Sequence, residues 1–209
     1  TTRRAAKMVC LDMDHPEIET FIMWKYREEQ KVADLVAGSH VAKRVLSRVA
    51  DAAQQGGGDW KQNPELRAAI REARHEGVPL NYVFRILQLA EQGIHDPDFK
   101  EFDAHYESEA YQTVCGQNAN NTVRVPNEFL RALETDEDWN LLKRTDGQVW
   151  KTLKAQKLWN DVCLAAWHSA DPGIHFSTTI NEWHTCPEDG SIKASNPCSE
   201  YLFLDDTAC

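Results

Sequence analysis

The sequence has no apolar run approaching the roughly 20 residues that span a bilayer, so no membrane partner is expected. It has no dense Lys/Arg run either, and its 33 acidic residues against 23 basic ones leave a formal net charge of −10. A protein that grips nucleic-acid phosphates wants the opposite balance, so no nucleic-acid partner is expected. Its six cysteines (Cys10, Cys115, Cys163, Cys186, Cys198 and Cys209) include no Cys-x-x-Cys pair, which weakens a structural zinc site. No apolar stretch follows Thr1-Thr2-Arg3-Arg4 as it would in a secretory signal. A reducing cytoplasm is the expected compartment, and there a reactive thiol needs a chemical reason. No period repeats cleanly enough for a solenoid. The start on a polar basic tetrapeptide and the stop at Cys209, just after an aromatic-apolar pattern, suggest an excerpt from a longer polypeptide.

What is present suffices for one ordinary domain or two small ones: 209 residues, 42% hydrophobic and 27% charged. Residues 5–13 are short, apolar and uncapped, which predicts a buried strand. Asp14-His15-Pro16-Glu17 then reads as a helix start, with Asp14 accepting from the first amides and Pro16 in the first turn. Ile18, Phe21, Ile22 and Tyr26 follow at helical spacing. Residues 27–112 have a different texture, rich in Ala, Glu, Gln, Arg and Lys and broken by Gly38, Gly56-Gly57-Gly58, Pro64, Pro79 and Pro97. Between the breaks lie the stripes Val41/Val45/Leu46/Val49, Leu66/Ala69/Ile70/Ala73 and Val83/Ile86/Leu87/Ala90, predicting an insertion of several short helices.

Strand texture returns at Asn121–Val125, and Pro126-Asn127-Glu128 opens a helix to about Glu134. An acidic loop, a strand over Gln148–Leu153 and a helix marked by Leu158, Val162, Ala165 and Ala166 follow, the helix stopped by Asp171-Pro172-Gly173. Ile174 to Cys209 reads as strand and loop. The alternation gives an α/β fold with a helical insertion. Its divisions are 1–26, 27–112 and 113–209.

The chemistry concentrates in Asn196-Pro197-Cys198-Ser199-Glu200. In an extended backbone Asn196, Cys198 and Glu200 would share a face. An amide can hold a hydroxyl, a carboxylate can take its proton, and a thiol can serve as nucleophile, ligand or hydrogen-atom donor. A neighbouring carboxylate disfavours thiolate, which points to the neutral S–H or its radical. The competing reading is plain turn chemistry around a small buried Cys, and spacing alone does not separate the two. His184 and Cys186 could form half a metal site, but no second pair stands at ligand spacing, so no metal is expected.

Ile180-Asn181-Glu182-Trp183-His184-Thr185-Cys186-Pro187 followed by Asn196-Pro197-Cys198-Ser199-Glu200-Tyr201 resembles the catalytic subunit of ribonucleotide reductase, most nearly the adenosylcobalamin-dependent class II type. Thr1-Thr2-Arg3-Arg4-Ala5-Ala6-Lys7-Met8, Asp14-His15-Pro16-Glu17-Ile18-Glu19 and Gln117-Asn118-Ala119-Asn120-Asn121-Thr122-Val123-Arg124-Val125 resemble segments of that family in the same order. The resemblance implies part of a ten-stranded α/β barrel of two half-barrels with a finger loop through its middle. Asn196, Pro197, Cys198, Ser199 and Glu200 would form the substrate-binding finger tip. Cys198 would become a thiyl radical that removes the ribose 3′ hydrogen, Glu200 would deprotonate the 3′-hydroxyl, and Asn196 would bind the ribose hydroxyls.

Cys209 would be the second member of the reducing pair, its partner lying before this segment; Cys10 follows the Arg-Arg element and is not that partner. Thr1, Thr2, Arg3, Arg4, Ala5 and Ala6 would belong to the loop that reads the specificity effector. A ribonucleotide (diphosphate or triphosphate), a deoxynucleotide or ATP effector, a thioredoxin-type reductant and a homodimer are the implied partners. Most of the adenosylcobalamin site would lie elsewhere, and the isolated chain would be inactive. The alternatives are a class I large subunit, served by a separate radical-generating subunit, and a non-enzymatic helical interaction module.

Overall fold

The computed structural model describes residues 6–94 and 98–207. Thr1, Thr2, Arg3, Arg4 and Ala5 of the expected effector loop, the expected break at Pro97, and Cys209 lie outside the described residues. The chain divides into two compact units, one formed by the chain up to Glu29 and from Cys115 onward, the other by Gln30–Val114.

The first unit is built on three parallel strands, β1 (Lys7–Asp12), β2 (Ala119–Val125) and β5 (Gly173–Phe176), in the order β1-β2-β5. Lys7 to Asp12 run beside Ala119 to Arg124, and Thr122 to Val125 beside Gly173 to Phe176. Side chains alternate across a strand, so the register sorts residues onto two faces. Leu11, Val123, Val125 and Ile174 turn to one face and pack with α1 (Ile18–Ile22), α6 (Asn127–Glu134) and α7 (Ala155–Ser169). Ile18, Ile22, Phe129, Leu158 and Val162 from those helices are almost fully buried there. Phe129 meets Trp139 edge-on, the ring centroids 5.1 Å apart. Cys10, Asp12, Thr122, Arg124, Gly173 and His175 turn to the other face. Gly173 lets β5 lie close to β2 there: a β-carbon would come within 3.1 Å of Thr122 Oγ1, which would have to shift.

A two-stranded antiparallel sheet, β3 (Asp138–Leu142) with β4 (Val149–Lys154), accompanies this core. β3 falls where an acidic loop was expected. Asp136, Glu137 and Asp138 mask a short alternation in which Leu141 is buried and Asn140 exposed. The expected strand-and-loop tail likewise contains α8 (Ser177–Glu182) and a 3₁₀ turn at Pro187–Asp189. The helix start differs too. Asp14 caps nothing and instead pairs with Arg144, while Pro16 precedes α1 and the Glu17 N–H donates to His15 Nδ1 at 3.1 Å. Among the described residues the strands do not close into a barrel; the fold is mixed α/β with three parallel strands.

The second unit is helical. It holds most of α2 (Trp24–Gly56), then α3 (Pro64–His75), α4 (Leu80–Glu91) and the single turn α5 (Glu109–Gln112). Val45, Leu46, Val49, Leu66, Ala69 and Val83 form its core. The expectation of short helices fails at Gly38. The helix runs through it because nothing crowds that position and one interior glycine costs only about 1 kcal/mol against alanine. Pro64 opens α3 at its first turn, where its missing N–H costs nothing, and Asn63 caps it by accepting from Leu66 N at 3.0 Å. No helix among the described residues is long and apolar enough to cross a membrane.

Candidate functional site

The polar face of the parallel sheet is covered by the segment that leads into and out of Asn196–Glu200. Its base is fixed by Asn181, whose Oδ1 accepts from Ile192 N at 2.8 Å while its Nδ2 donates to Ile192 O at 3.1 Å and Ser177 O at 2.9 Å. From the sheet, Arg124 donates to Asp12 Oδ1 at 2.8 Å and to Ile192 O at 3.3 Å. Farther along β2, Asn120 donates through Nδ2 to the carbonyl of Pro197. Two sheet residues and one from α8 thus tie the segment down over the polar face.

The segment is a turn, so of the two conformations that spacing alone left open the extended one is not adopted. Ser195 and Leu202 form an antiparallel bridge, and Asn196 N donates to Tyr201 O at 3.3 Å. Ser199 N donates to Asn196 O at 2.9 Å, closing a four-residue turn with Pro197 at its second position. Proline presets the torsion that position needs, and Ser199 then takes a left-handed conformation with φ of 63°. Asn196 Oδ1 accepts from Tyr201 N at 3.0 Å, which leaves its Nδ2 as the group available to a ligand. Local turn chemistry has won over period-two alternation. Cys198 and Glu200 are exposed and Asn196 is half-buried in this one turn, not on the face of a strand.

Beneath the tip lies a group that sequence reasoning missed. His175 is 6% exposed, with Nε2 at 3.2 Å from both Ser199 Oγ and Ser195 Oγ, and Nδ1 at 3.9 Å from Cys10 Sγ. Ser195 Oγ also donates to Asn196 O at 2.8 Å. Burial pushes the His175 imidazole below its ordinary value, with the Arg124 charge adding to the effect, so it is held neutral. Burial pushes the Cys10 thiol up, which keeps it as S–H. The signal was faint but present. In Gly173-Ile174-His175-Phe176 a histidine alternates out of an apolar pattern, so it had to face away from the core.

Two cavities adjoin the turn. One of about 530 Å³ is lined by Phe176, Ile180, Trp183, His184 and Phe203 among others, and one of about 340 Å³ by Ser195, Asn196, Tyr201 and Asp205 among others. His184 is buried, and neither ring nitrogen has a hydrogen-bond partner among the described residues. Its ring meets Phe203 edge-on at 5.5 Å. No group of three or more His, Cys, Asp or Glu side chains placed to hold a metal occurs among the described residues. A corrin with its nucleotide arm is larger than either cavity. The described residues therefore do not by themselves enclose adenosylcobalamin.

Residues 1–209 match the family of the ribonucleotide reductase barrel domain. The chain is similar to the vitamin B12-dependent ribonucleotide reductases of Bradyrhizobium diazoefficiens, 56% identical over 215 aligned positions, and Agrobacterium fabrum, 55% identical over 215. It is also similar to that of Streptomyces clavuligerus, 36% identical over 208 positions. Each alignment covers 100% of this chain but only 17%, 17% and 15% of the respective relative. The chain thus spans about a sixth of the length of the relatives it matches.

Proposed function

The chain belongs to the ribonucleotide reductase barrel-domain family, and from that premise we propose that it is the part of a vitamin B12-dependent ribonucleotide reductase that carries the radical-bearing turn. The observation that supports this most is the turn itself: a thiol, a carboxylate and an amide gathered on a tip that side chains of the sheet's polar face hold from below. In the parent enzyme the sheet would continue into the ten-stranded barrel, which would enclose this tip and keep water from a radical.

The roles follow from the chemistry of each group. As a thiyl radical, Cys198 takes the hydrogen atom from C3′ of the ribose, re-forming S–H and leaving the radical on carbon. Glu200 accepts the 3′-hydroxyl proton as general base, which helps expel the 2′-hydroxyl as water. Asn196 holds the ribose hydroxyls through its Nδ2. Two thiols supply the two electrons and two protons of the reduction and close into a disulfide, which exchange with a thioredoxin-type dithiol reopens. Cys209 is one of those thiols and its partner belongs to another part of the parent. The carbon-centred radical finally recovers its hydrogen atom from Cys198, restoring the thiyl.

The relatives are named as vitamin B12-dependent; in this reading adenosylcobalamin would supply radical initiation, and segments of the parent outside this chain would hold it. Thr1, Thr2, Arg3, Arg4, Ala5 and Ala6 belong to the loop through which a deoxynucleotide or ATP effector selects the base, and the parent acts as a cytoplasmic homodimer.

The test is Cys198→Ser in the intact enzyme. A hydroxyl is nearly isosteric, but its O–H bond is too strong for a radical relay. Turnover is expected to vanish while ribonucleotide binding, read by equilibrium dialysis, stays near that of the parent. Substantial deoxynucleotide formation by this variant would overturn the assignment.

A further inference from the structure

We propose that His175 is a positioning residue for the turn: its neutral ring accepts the Cys10 S–H at Nδ1 and offers its Nε2–H to the Ser195 and Ser199 hydroxyls, the first of which donates on to the Asn196 carbonyl. The inference rests on the function proposed for Cys198, Glu200 and Asn196, since it concerns how their geometry is held.

The groups around the ring favour this tautomer. The Asn196 carbonyl can only accept, and Ser195 Oγ lies 2.8 Å from it, so the single Ser195 proton is committed there. The Ser195 oxygen and the Ser199 oxygen both lie 3.2 Å from His175 Nε2 and can accept from it. With Nε2 carrying the ring proton, one N–H serves both hydroxyl oxygens. Nδ1 is then a bare lone pair facing Cys10 Sγ at 3.9 Å, a distance suited to an S–H donor. The opposite tautomer would aim an N–H at a poorly accepting sulfur and leave the Cys10 S–H without this acceptor. Burial of His175 and Cys10 agrees with both staying uncharged.

The chain links β1, β5 and the turn. Cys10 and His175 sit on the outer strands of the sheet, 165 residues apart in sequence, and Ser195 and Ser199 bracket Asn196, Pro197 and Cys198. The Asn196 carbonyl also accepts the Ser199 N–H at 2.9 Å, so one oxygen receives both the backbone closure of the turn and the end of the donor chain. Rotation of that peptide would swing the amide of Asn196 and the thiol of Cys198 together. Hydrogen bonds aligned in one direction reinforce one another, and a sub-ångström loss of register at a reacting centre is costly.

The experiment uses the intact enzyme with His175→Leu, His175→Gln, Ser195→Ala and Cys198→Ser, reading kcat, KM for the ribonucleotide and the melting temperature. His175→Leu keeps the apolar bulk and removes both hydrogen bonds. It is expected to lower kcat by roughly ten- to a hundred-fold, with KM and melting temperature close to the parent's. His175→Gln, which can again donate to Ser199, is expected to recover most of that loss. Ser195→Ala cuts the last link without touching the sheet and is expected to lower kcat several-fold.

Parental kcat in either His175→Leu or Ser195→Ala overturns the proposal, and if His175→Leu does not fold, Ser195→Ala decides it. Equal losses in the Leu and Gln variants, accompanied by equal falls in melting temperature, overturn it in favour of packing alone. Full turnover in His175→Leu beside a dead Cys198→Ser rejects this inference only, whereas turnover surviving Cys198→Ser rejects the function on which it rests.

Discussion

The helical unit and the sheet-bearing unit treat buried polarity in opposite ways. In Gln30–Val114 the one buried polar side chain among the described residues is Asn63, and all its capacity goes into structure. It caps α3 and donates to Ala52 O at 2.7 Å and Gly57 O at 2.9 Å. The other unit buries Asn121, Thr122, His175 and His184, and leaves the last without a hydrogen-bond partner. All four described non-glycine residues with positive φ, Asp136, Ala170, Ser199 and Asp206, belong to it as well. Of these exceptions, Ser199 lies in the turn that carries Cys198, and His175 lies beneath it. The two units should therefore fail differently when damaged.

The widest separation is expected from Glu200→Gln in the intact enzyme. The amide keeps the size and hydrogen bonding but cannot take the 3′-hydroxyl proton, and loss of a general base costs about 10²–10⁴-fold in rate. Single-turnover rates across pH check this, and unchanged rates would reduce Glu200 to a turn residue. In the helical unit the matching lesion is Leu66→Ala, which empties a fully buried site. It should cost about 2–5 kcal/mol of stability, read by urea unfolding, and a cost near zero would mean that the core of this unit is loosely packed.

A smaller effect separates the units by pH. His175 is held below its ordinary value of 6.5, so below that pH the unfolded chain binds a proton that the folded one refuses. The folded state therefore keeps its full stability above about 6.5 and loses some as pH falls below it. Urea midpoints between pH 7.5 and 5 should fall less in His175→Gln than in the parent, and parallel curves would show that His175 titrates normally. The smallest effect concerns Ser199. Glycine adopts its left-handed backbone without steric cost, so Ser199→Gly should relieve local strain of about 1 kcal/mol. That gain is offset in part by the chain freedom of glycine and the lost hydroxyl. A melting temperature within a few degrees of the parent is expected, and a large fall would give the hydroxyl chain a greater share in stability.

Much of the fold was legible because its signals are local. The strand β1, the helix opened by Pro126-Asn127-Glu128 and the stripe Leu158/Val162/Ala165 follow from periodicity over a few residues, and the structure puts them where the pattern says. β3 was hidden because the three consecutive acids Asp136, Glu137 and Asp138 run into its start and mask the apolar residues that follow. The length of α2 was hidden because one glycine looks like a stop while costing little. At the site, the residues Asn196, Cys198 and Glu200 stand out in the sequence, but their geometry depends on Pro197 and on the left-handed Ser199, which converts a strand into a turn. The contact of Cys10 with His175 depends on the pairing of β1, β2 and β5 across the whole chain, and no local pattern encodes that register.

The parallel sheet carries one more consequence. Among the described residues β1 and β5 each have a strand on one side only, so their outer rims are the edges of this sheet. Closed barrels have no such rims, and a barrel strand has no need of the charges, prolines or bulges with which open sheets blunt them. β5, Gly173-Ile174-His175-Phe176, indeed carries none of these. Expressed without its neighbours, this segment would behave as a template for strand addition. Its solubility would depend on concentration, and the complementary stretch of the parent, supplied in trans, would be its natural solubiliser.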